Sequence, residues 1–264
     1  MSMMAPGALA SLEVLDDIAV VRLDRPEAMN AISGSLADAL RDVLRAVGSR
    51  PDIKVMILSA SGDTGFCAGA DLKERHSFEL EDFYANRRQM RALFQSVREL
   101  PQPSIAAIFG FALGGGLELA LSCDLIVAAE GTKLALPEAQ VGLIPAGGGT
   151  QLLPRRIGPA RAKEMIFTGR RVDASEAAGI GLVDKVVPHA DLHTASMDLA
   201  RAIGSSSPVA VREAKRVVEA SLGLALEDGI EAENEAWARV VTTEDREEGI
   251  AAFNEKREPV WKNR

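Results

Sequence analysis

The sequence predicts an α/β fold closed by a helical C-terminal region. Two observations carry this. The order strand, glycine-containing turn, helix, strand occurs twice between residues 53 and 128, the signature of alternating α and β units. From about Asp191 the apolar pattern becomes wholly helical. The chain therefore divides into a mixed core over residues 11–190 and a helical region over 191–264.

In chain order, Leu12–Leu15 and Ile18–Leu23 flank Asp16-Asp17 and read as a hairpin. After Asp24-Arg25-Pro26 a helix is expected from near Ser33, because Leu36, Leu40, Val43, Leu44 and Val47 recur at helical spacing. Pro51-Asp52 stops it, and Ile53–Leu58 reads as a buried strand. Residues 61–69 are small and glycine-containing, hence a loop. A long helix follows with Leu80, Phe83, Met90, Phe94 and Val97 on one face, ended by Pro101 and Pro103. Ser104–Phe109 is the next strand, Gly114–Gly116 a turn into a helix, and Asp124–Ala128 another strand. Helices are expected at 191–203, 208–220, 224–240 and 243–256. Met1–Ala10 is small and apolar without a basic segment ahead of it, so it reads as a loose end rather than a signal peptide.

Composition narrows the function. Apolar residues at 47% and charged residues at 26% describe a globular chain. No apolar run approaches the roughly 18 residues of a membrane span. A net charge of −8 disfavours a broad grip on nucleic acid or an anionic membrane. Two cysteines, Cys67 and Cys123, suit a reducing cytoplasm rather than a disulfide framework. His189 and His193 are four apart, but Pro188 beside them marks an exposed boundary, so no metal site is expected.

The chemistry lies in two turns rich in small residues, Phe66–Lys73 and Ala112–Glu118. Neither they nor Gly147–Gly149 match a dinucleotide fingerprint, a phosphate-binding loop or a nucleophilic-serine elbow. A turn entering a helix instead presents free backbone N–H groups to an anion, and glycine or alanine admits close approach. Close helix-to-strand packing accounts for the same residues equally well. Glu118 follows the triple glycine, and Glu138 follows Pro137. A first-turn glutamate stabilises a helix dipole, but both lie among apolar and small neighbours, where a buried carboxylate with a raised pKa suits acid–base work. Arg75, Arg87 and Arg88 lie within the loop 73–78 and helix 79–99 expected to wall the substrate's variable end, where arginines are commonly solvated and otherwise meet an acidic acyl group.

Six segments together resemble the enoyl-CoA hydratase/isomerase, or crotonase, superfamily: DRPEAMNA (24–31), FCAGADLKE (66–74), ALGGGLELALSCD (112–124), LPEAQVGLIPAGGGTQ (136–151), FTGRRVDASEAAGIGLVDKVV (167–187) and EDREEGIAAFNEKR (244–257). Among them FCAGADLKER (66–75) and ALGGGLELAL (112–121) are most similar to the methylglutaconyl-CoA hydratase-like branch. The resemblance implies a spiral core of ββα units with a C-terminal trimerisation region, assembled as a trimer or dimer of trimers. It implies oxyanion-hole amides at Ala70 and Gly115, acid–base glutamates at Glu118 and Glu138, and a CoA groove lined by Ala28, Ala68, Asp71, Leu72 and Lys73. It implies hydration of a 2-enoyl-CoA with no cofactor, coenzyme A being part of the substrate. The alternative activity is double-bond isomerisation, and a distant one is RNA binding. Departures from the pattern are Glu27 where lysine is frequent, Phe109 for Asn or Asp, Ala146 for glycine and Leu152 for arginine.

Overall fold

The computed structural model describes residues 2–3 and 8–264. Its elements are β1 (Ser2–Met3), β2 (Ala10–Leu15), β3 (Ile18–Leu23), α1 (Gly34–Gly48), β4 (Val55–Ala60), α2 (Leu72–Arg75), α3 (Leu80–Arg98), β5 (Ser104–Ile108), β6 (Phe111–Leu113), α4 (Gly115–Leu121), β7 (Leu125–Ala129), β8 (Lys133–Ala135), α5 (Gly149–Ile157), α6 (Pro159–Thr168), β9 (Val172–Asp173), α7 (Ala174–Gly179), β10 (Lys185–Val187), α8 (Leu192–Gly204), α9 (Pro208–Ser221), α10 (Leu226–Val240) and α11 (Glu244–Glu255). A 3₁₀ turn spans Glu138–Val141.

The main sheet runs β1-β2-β3-β4-β5-β7-β10. It is antiparallel from β1 to β3 and parallel from β3 to β10. The expected hairpin pairs Leu15 with Ile18, and Asp16 takes a positive φ of 56° in its tight turn, a conformation aspartate tolerates. The loose end read over 1–10 falls partly outside the described residues. Within them Ser2–Met3 pair with Leu12 and Glu13, and Ala10 already belongs to β2.

Ser33 caps α1 by accepting from the Leu36 amide, and Leu36, Leu40, Leu44 and Val47 are buried, as their spacing predicts. In α3 the expected face holds only in its second half. Met90, Phe94 and Val97 are buried with Leu93 and Asn86, but Leu80 is 69% exposed and Phe83 packs edge-on against Phe78 with centroids 5.5 Å apart. The first two turns stand outside the core, so apolar periodicity there does not mark a core-facing stripe. Ile53 is buried, yet the strand begins two residues later at Val55.

A second sheet, β6-β8-β9, was not legible in the sequence, because strands of two or three residues show no periodicity. It turns the chain out of the main sheet and into α4. Phe109, which departs from the resemblance, is buried and stacks on His189 at 5.3 Å, so an aromatic pair fills that corner.

The four C-terminal helices fall where expected. Helix α8 packs on β3, β4, β5 and β7, burying Leu192, Met197 and Ala200. Helices α9 and α10 pack on each other. Lys215 ties α9 to the sheet by donating to Asp124 at 2.9 Å and to the Gln102 carbonyl at 3.1 Å. Val218, Leu222, Leu226, Trp237 and Phe253 stay exposed on this region. Among the described residues, no helix is long and apolar enough to cross a membrane.

Candidate active site

The two turns singled out from the sequence meet. The loop at 67–71 is held by a parallel bridge in which Ile32 N donates to Gly69 O at 2.7 Å and Asp71 N donates to Ile32 O at 3.1 Å. The bridge uses the groups on either side of Ala70, so the Ala70 N–H points away from it, without an acceptor among the described residues. Gly115 opens α4, and its N–H is likewise unbonded, as first-turn amides are. A Cβ placed on Gly115 would stand 3.6 Å from the Ala70 nitrogen, so the two amides are neighbours. Gly69, at φ 97°, permits the approach: a Cβ there would stand 2.7 Å from Leu113 O and 3.2 Å from Gly115 N. Two adjacent unbonded N–H groups form a site for one oxygen bearing negative charge.

Both glutamates reach the same cavity of about 310 Å³, which Ala68, Ala70, Leu72, Gly115, Glu118 and Glu138 line together. Their surroundings differ. Glu118 is buried on α4, and its Oε1 accepts from Gly147 N at 2.6 Å and Gly149 N at 2.8 Å. Burial pushes its carboxyl above the usual range, while the amides of Gly149 and Gly147 favour the anion. Glu138, half-buried at the start of the 3₁₀ turn, has an Oε2 with no hydrogen-bond partner among the described residues. Burial pushes its pKa up to about 7, with the nearby Glu118 adding to the rise and its own backbone N–H and Arg75 opposing it.

A second groove of about 750 Å³ shares Ala68, Ala70 and Leu72 with this cavity and is walled by Arg25, Glu27, Ala28, Asp71 and Lys73. All five residues expected to line a CoA groove are thus on it. The Asp71 carboxylate is occupied: it caps α2 through the Lys73 and Glu74 amides and accepts from Arg25 Nη1 at 2.5 Å. Burial alone would raise its pKa, but Arg25 and these amides hold it below the ordinary value. Glu27 lies 3.8 Å from Arg25 Nε.

Sequence reasoning set Gly147–Gly149 aside for failing a nucleotide pattern, yet two of these amides hold Glu118. The available signal was a second glycine triplet opening a helix, the same device as at Gly114–Gly116. Of the three arginines singled out, Arg75 and Arg87 line the cavity, whereas Arg88 faces a separate groove with Arg41 and Asp82. Arg171 and Ala146 also line the cavity.

Residues 13–264 match the family model described as enoyl-CoA hydratase/isomerase. The chain is 40% identical over 275 residues to the enoyl-CoA isomerase/hydratase fer4 of Mycosarcoma maydis, covering 98% of this chain and 99% of that one. It is 41% identical over 252 residues to the mitochondrial methylglutaconyl-CoA hydratase of Rattus norvegicus, covering 93% and 79%. The crystal structure of an enoyl-CoA hydratase from Bacillus anthracis superposes with a TM-score of 0.95 at 41% identity, covering 97% of this chain and all of that one. Matched by the family model over residues 13–264 and by a relative over 98% of its length, the chain belongs to the enoyl-CoA hydratase/isomerase family.

Proposed function

We propose that this enzyme adds water across the 2,3 double bond of a 2-enoyl-CoA thioester. One observation carries the reading: two carboxyls in unlike environments face a cavity that also exposes the Ala70 and Gly115 amides. The thioester oxygen would accept from those two amides. As water oxygen bonds to the β-carbon, the π pair moves toward the α-carbon and the thioester oxygen gains charge where donors already stand. Glu118, whose anion two amides favour, takes the proton from water. Glu138, titrating near 7 with an unpaired oxygen, delivers a proton to the α-carbon. The charge on Glu138 and the proton on Glu118 are then reset through solvent. Hydration is redox-neutral and, written this way, uses no cofactor; the CoA moiety serves as the handle.

The groove beside the cavity, with exposed Lys73 at its rim, supports binding of the CoA moiety around Ala28, Ala68, Asp71, Leu72 and Lys73. The apolar side chains exposed on α9 to α11 support a homo-oligomer, a trimer or a dimer of trimers, with the region from 191 supplying much of the contact. The test is spectrophotometric loss of the conjugated enoyl thioester over short, long, branched and acidic 2-enoyl-CoAs. Migration of a 3-enoyl double bond without hydration of any 2-enoyl substrate would overturn the hydratase reading in favour of isomerisation.

A further inference from the structure

The turn that leads into α1 places two consecutive residues in the left-handed region without using glycine, Met29 at φ 54° and Asn30 at φ 53°. Asparagine tolerates this conformation, but methionine adopts it rarely, and such residues persist only where their surroundings over-determine them. The Asn30 side chain does so here. Asn30 is 1% exposed, and both its side-chain polar atoms are bonded. Its Oδ1 accepts from Arg25 N at 2.9 Å, and its Nδ2 donates to Ser61 O at 3.0 Å and to Gly65 O at 3.2 Å. Its own N–H donates to Arg25 O at 2.9 Å. Asn30 thus closes the turn on Arg25 and ties it to the loop at 61–65.

The same turn carries the loop of the Ala70 amide. Met29 O accepts from Ala68 N at 3.1 Å, and Asn30 O accepts from Cys67 Sγ at 3.1 Å. Ile32 supplies both bonds of the isolated bridge to Ala70, which belongs to neither sheet. The Ala31 carbonyl goes to Arg25, whose Nη1 donates to Ala31 O at 3.2 Å and to Asp71 Oδ2 at 2.5 Å. One guanidinium therefore clasps both segments of the bridge, beside Ile32 on one and beside Ala70 on the other. Asn30 itself lines neither the glutamate cavity nor the adjoining groove.

We propose that Asn30 and Arg25 are positioning residues for the oxyanion hole: Asn30 locks the left-handed turn, Arg25 clasps the bridge, and together they aim the Ala70 N–H at the thioester oxygen. The inference rests on the reading of Ala70 and Gly115 as that hole and adds what holds it in register. An isolated two-bond bridge is a weak support for a catalytic donor, and misplacement of a donor by about 1 Å is enough to lose much of its effect. The competing role is structural alone, in which the same bonds stabilise the turn and leave the aim of Ala70 unaffected.

The experiment reads the thioester carbonyl stretching frequency of butyryl-CoA bound at saturation to the wild type, to Asn30→Gly and to Arg25→Met. Glycine keeps the positive φ open while removing every side-chain bond of Asn30. In the wild type the frequency should lie below its value in water. In both variants that shift should shrink. In Asn30→Gly, hydration of the best 2-enoyl-CoA should lose ~10–100-fold in kcat and equally in kcat/KM, the pattern of an interaction made in the transition state. Stability falls under either role, so spectra and rates are taken on folded protein well below its thermal midpoint. Retention of the full shift in a folded variant overturns that residue's assignment, whatever its activity. If Asn30→Gly does not fold, Arg25→Met carries the test, because saturation with ligand separates the carbonyl shift from any change in CoA affinity at the groove that Arg25 walls. A wild type whose bound carbonyl absorbs as in water refutes the oxyanion hole itself, and this inference with it. The spectroscopic readout is independent of whether the enzyme hydrates or isomerises.

Discussion

Replacing Glu138 by glutamine should cost the enzyme its activity and increase its stability, and the gain should depend on pH. The Glu138 carboxyl titrates at about 7 in the folded chain, against an ordinary value of 4.5. Between those values the folded chain holds a proton that the unfolded chain has released, so stability falls as pH rises from about 4.5 to about 7. Above that window the penalty is complete. At ~1.4 kcal/mol per pH unit the full gap is worth ~3 kcal/mol, and discounting for partial exposure and for coupling to Glu118 leaves ~1–3 kcal/mol. Glutamine does not ionise and fills the same volume. Glu138→Gln should therefore match the wild type in thermal midpoint near pH 4.5 and exceed it at pH 8, by ~2–4 °C per kcal/mol at this chain length. Hydration should fall on the order of 10²-fold or more at both pH values. Thermal melts of both proteins at the two pH values, at one protein concentration, give the difference directly. A midpoint difference that stays constant between them would mean that Glu138 is not desolvated, and the reasoning behind its role as acid would fail.

Other expectations follow from the same geometry. Glu118→Gln keeps an acceptor for the Gly147 and Gly149 amides, so it should fold while kcat drops on the order of 10²-fold or more; combined with Glu138→Gln the loss should be smaller than the product, because both act in one addition. Gly147→Ala should reduce both activity and stability, by ~1–3 kcal/mol in a chemical melt, since its Cβ would stand 2.5 Å from Phe94 Cε2 and 2.7 Å from Glu118 Oε2; a fully active variant would show that this loop yields freely. The thioester carbonyl of a bound saturated acyl-CoA should shift to lower stretching frequency as Ala70 and Gly115 polarise it, and a frequency equal to that in water would reduce the two turns to packing devices. Light scattering at micromolar concentration should return a multiple of three chains, with a monomer mass ruling out the oligomer reading.

Much of this enzyme was determined by local sequence. The α1 stripe, its Ser33 cap, the hairpin about Asp16 and the four C-terminal helices follow from periodicity and turn chemistry within a dozen residues of themselves. Glu118, Glu138 and the turns at 68–70 and 114–116 were also legible, because carboxylates set in apolar runs and small residues at helix entrances are unusual enough to stand out. What local sequence left undecided was every relation across the chain. Nothing near Gly147 or Gly149 says that their amides hold a carboxylate on α4, and nothing near Ala70 says that its N–H is left free by pairing through Ile32. Leu80 and Phe83 continue the helical stripe of α3, yet only the packed core shows that Leu80 stays outside it and that Phe83 meets Phe78 instead. The cavity lining was equally hidden: Arg75, Arg87 and Arg171 lie on separate elements until the fold brings them to one wall. Propensity and periodicity are properties of neighbouring residues, whereas desolvation and hydrogen-bond partnership depend on which distant segments meet.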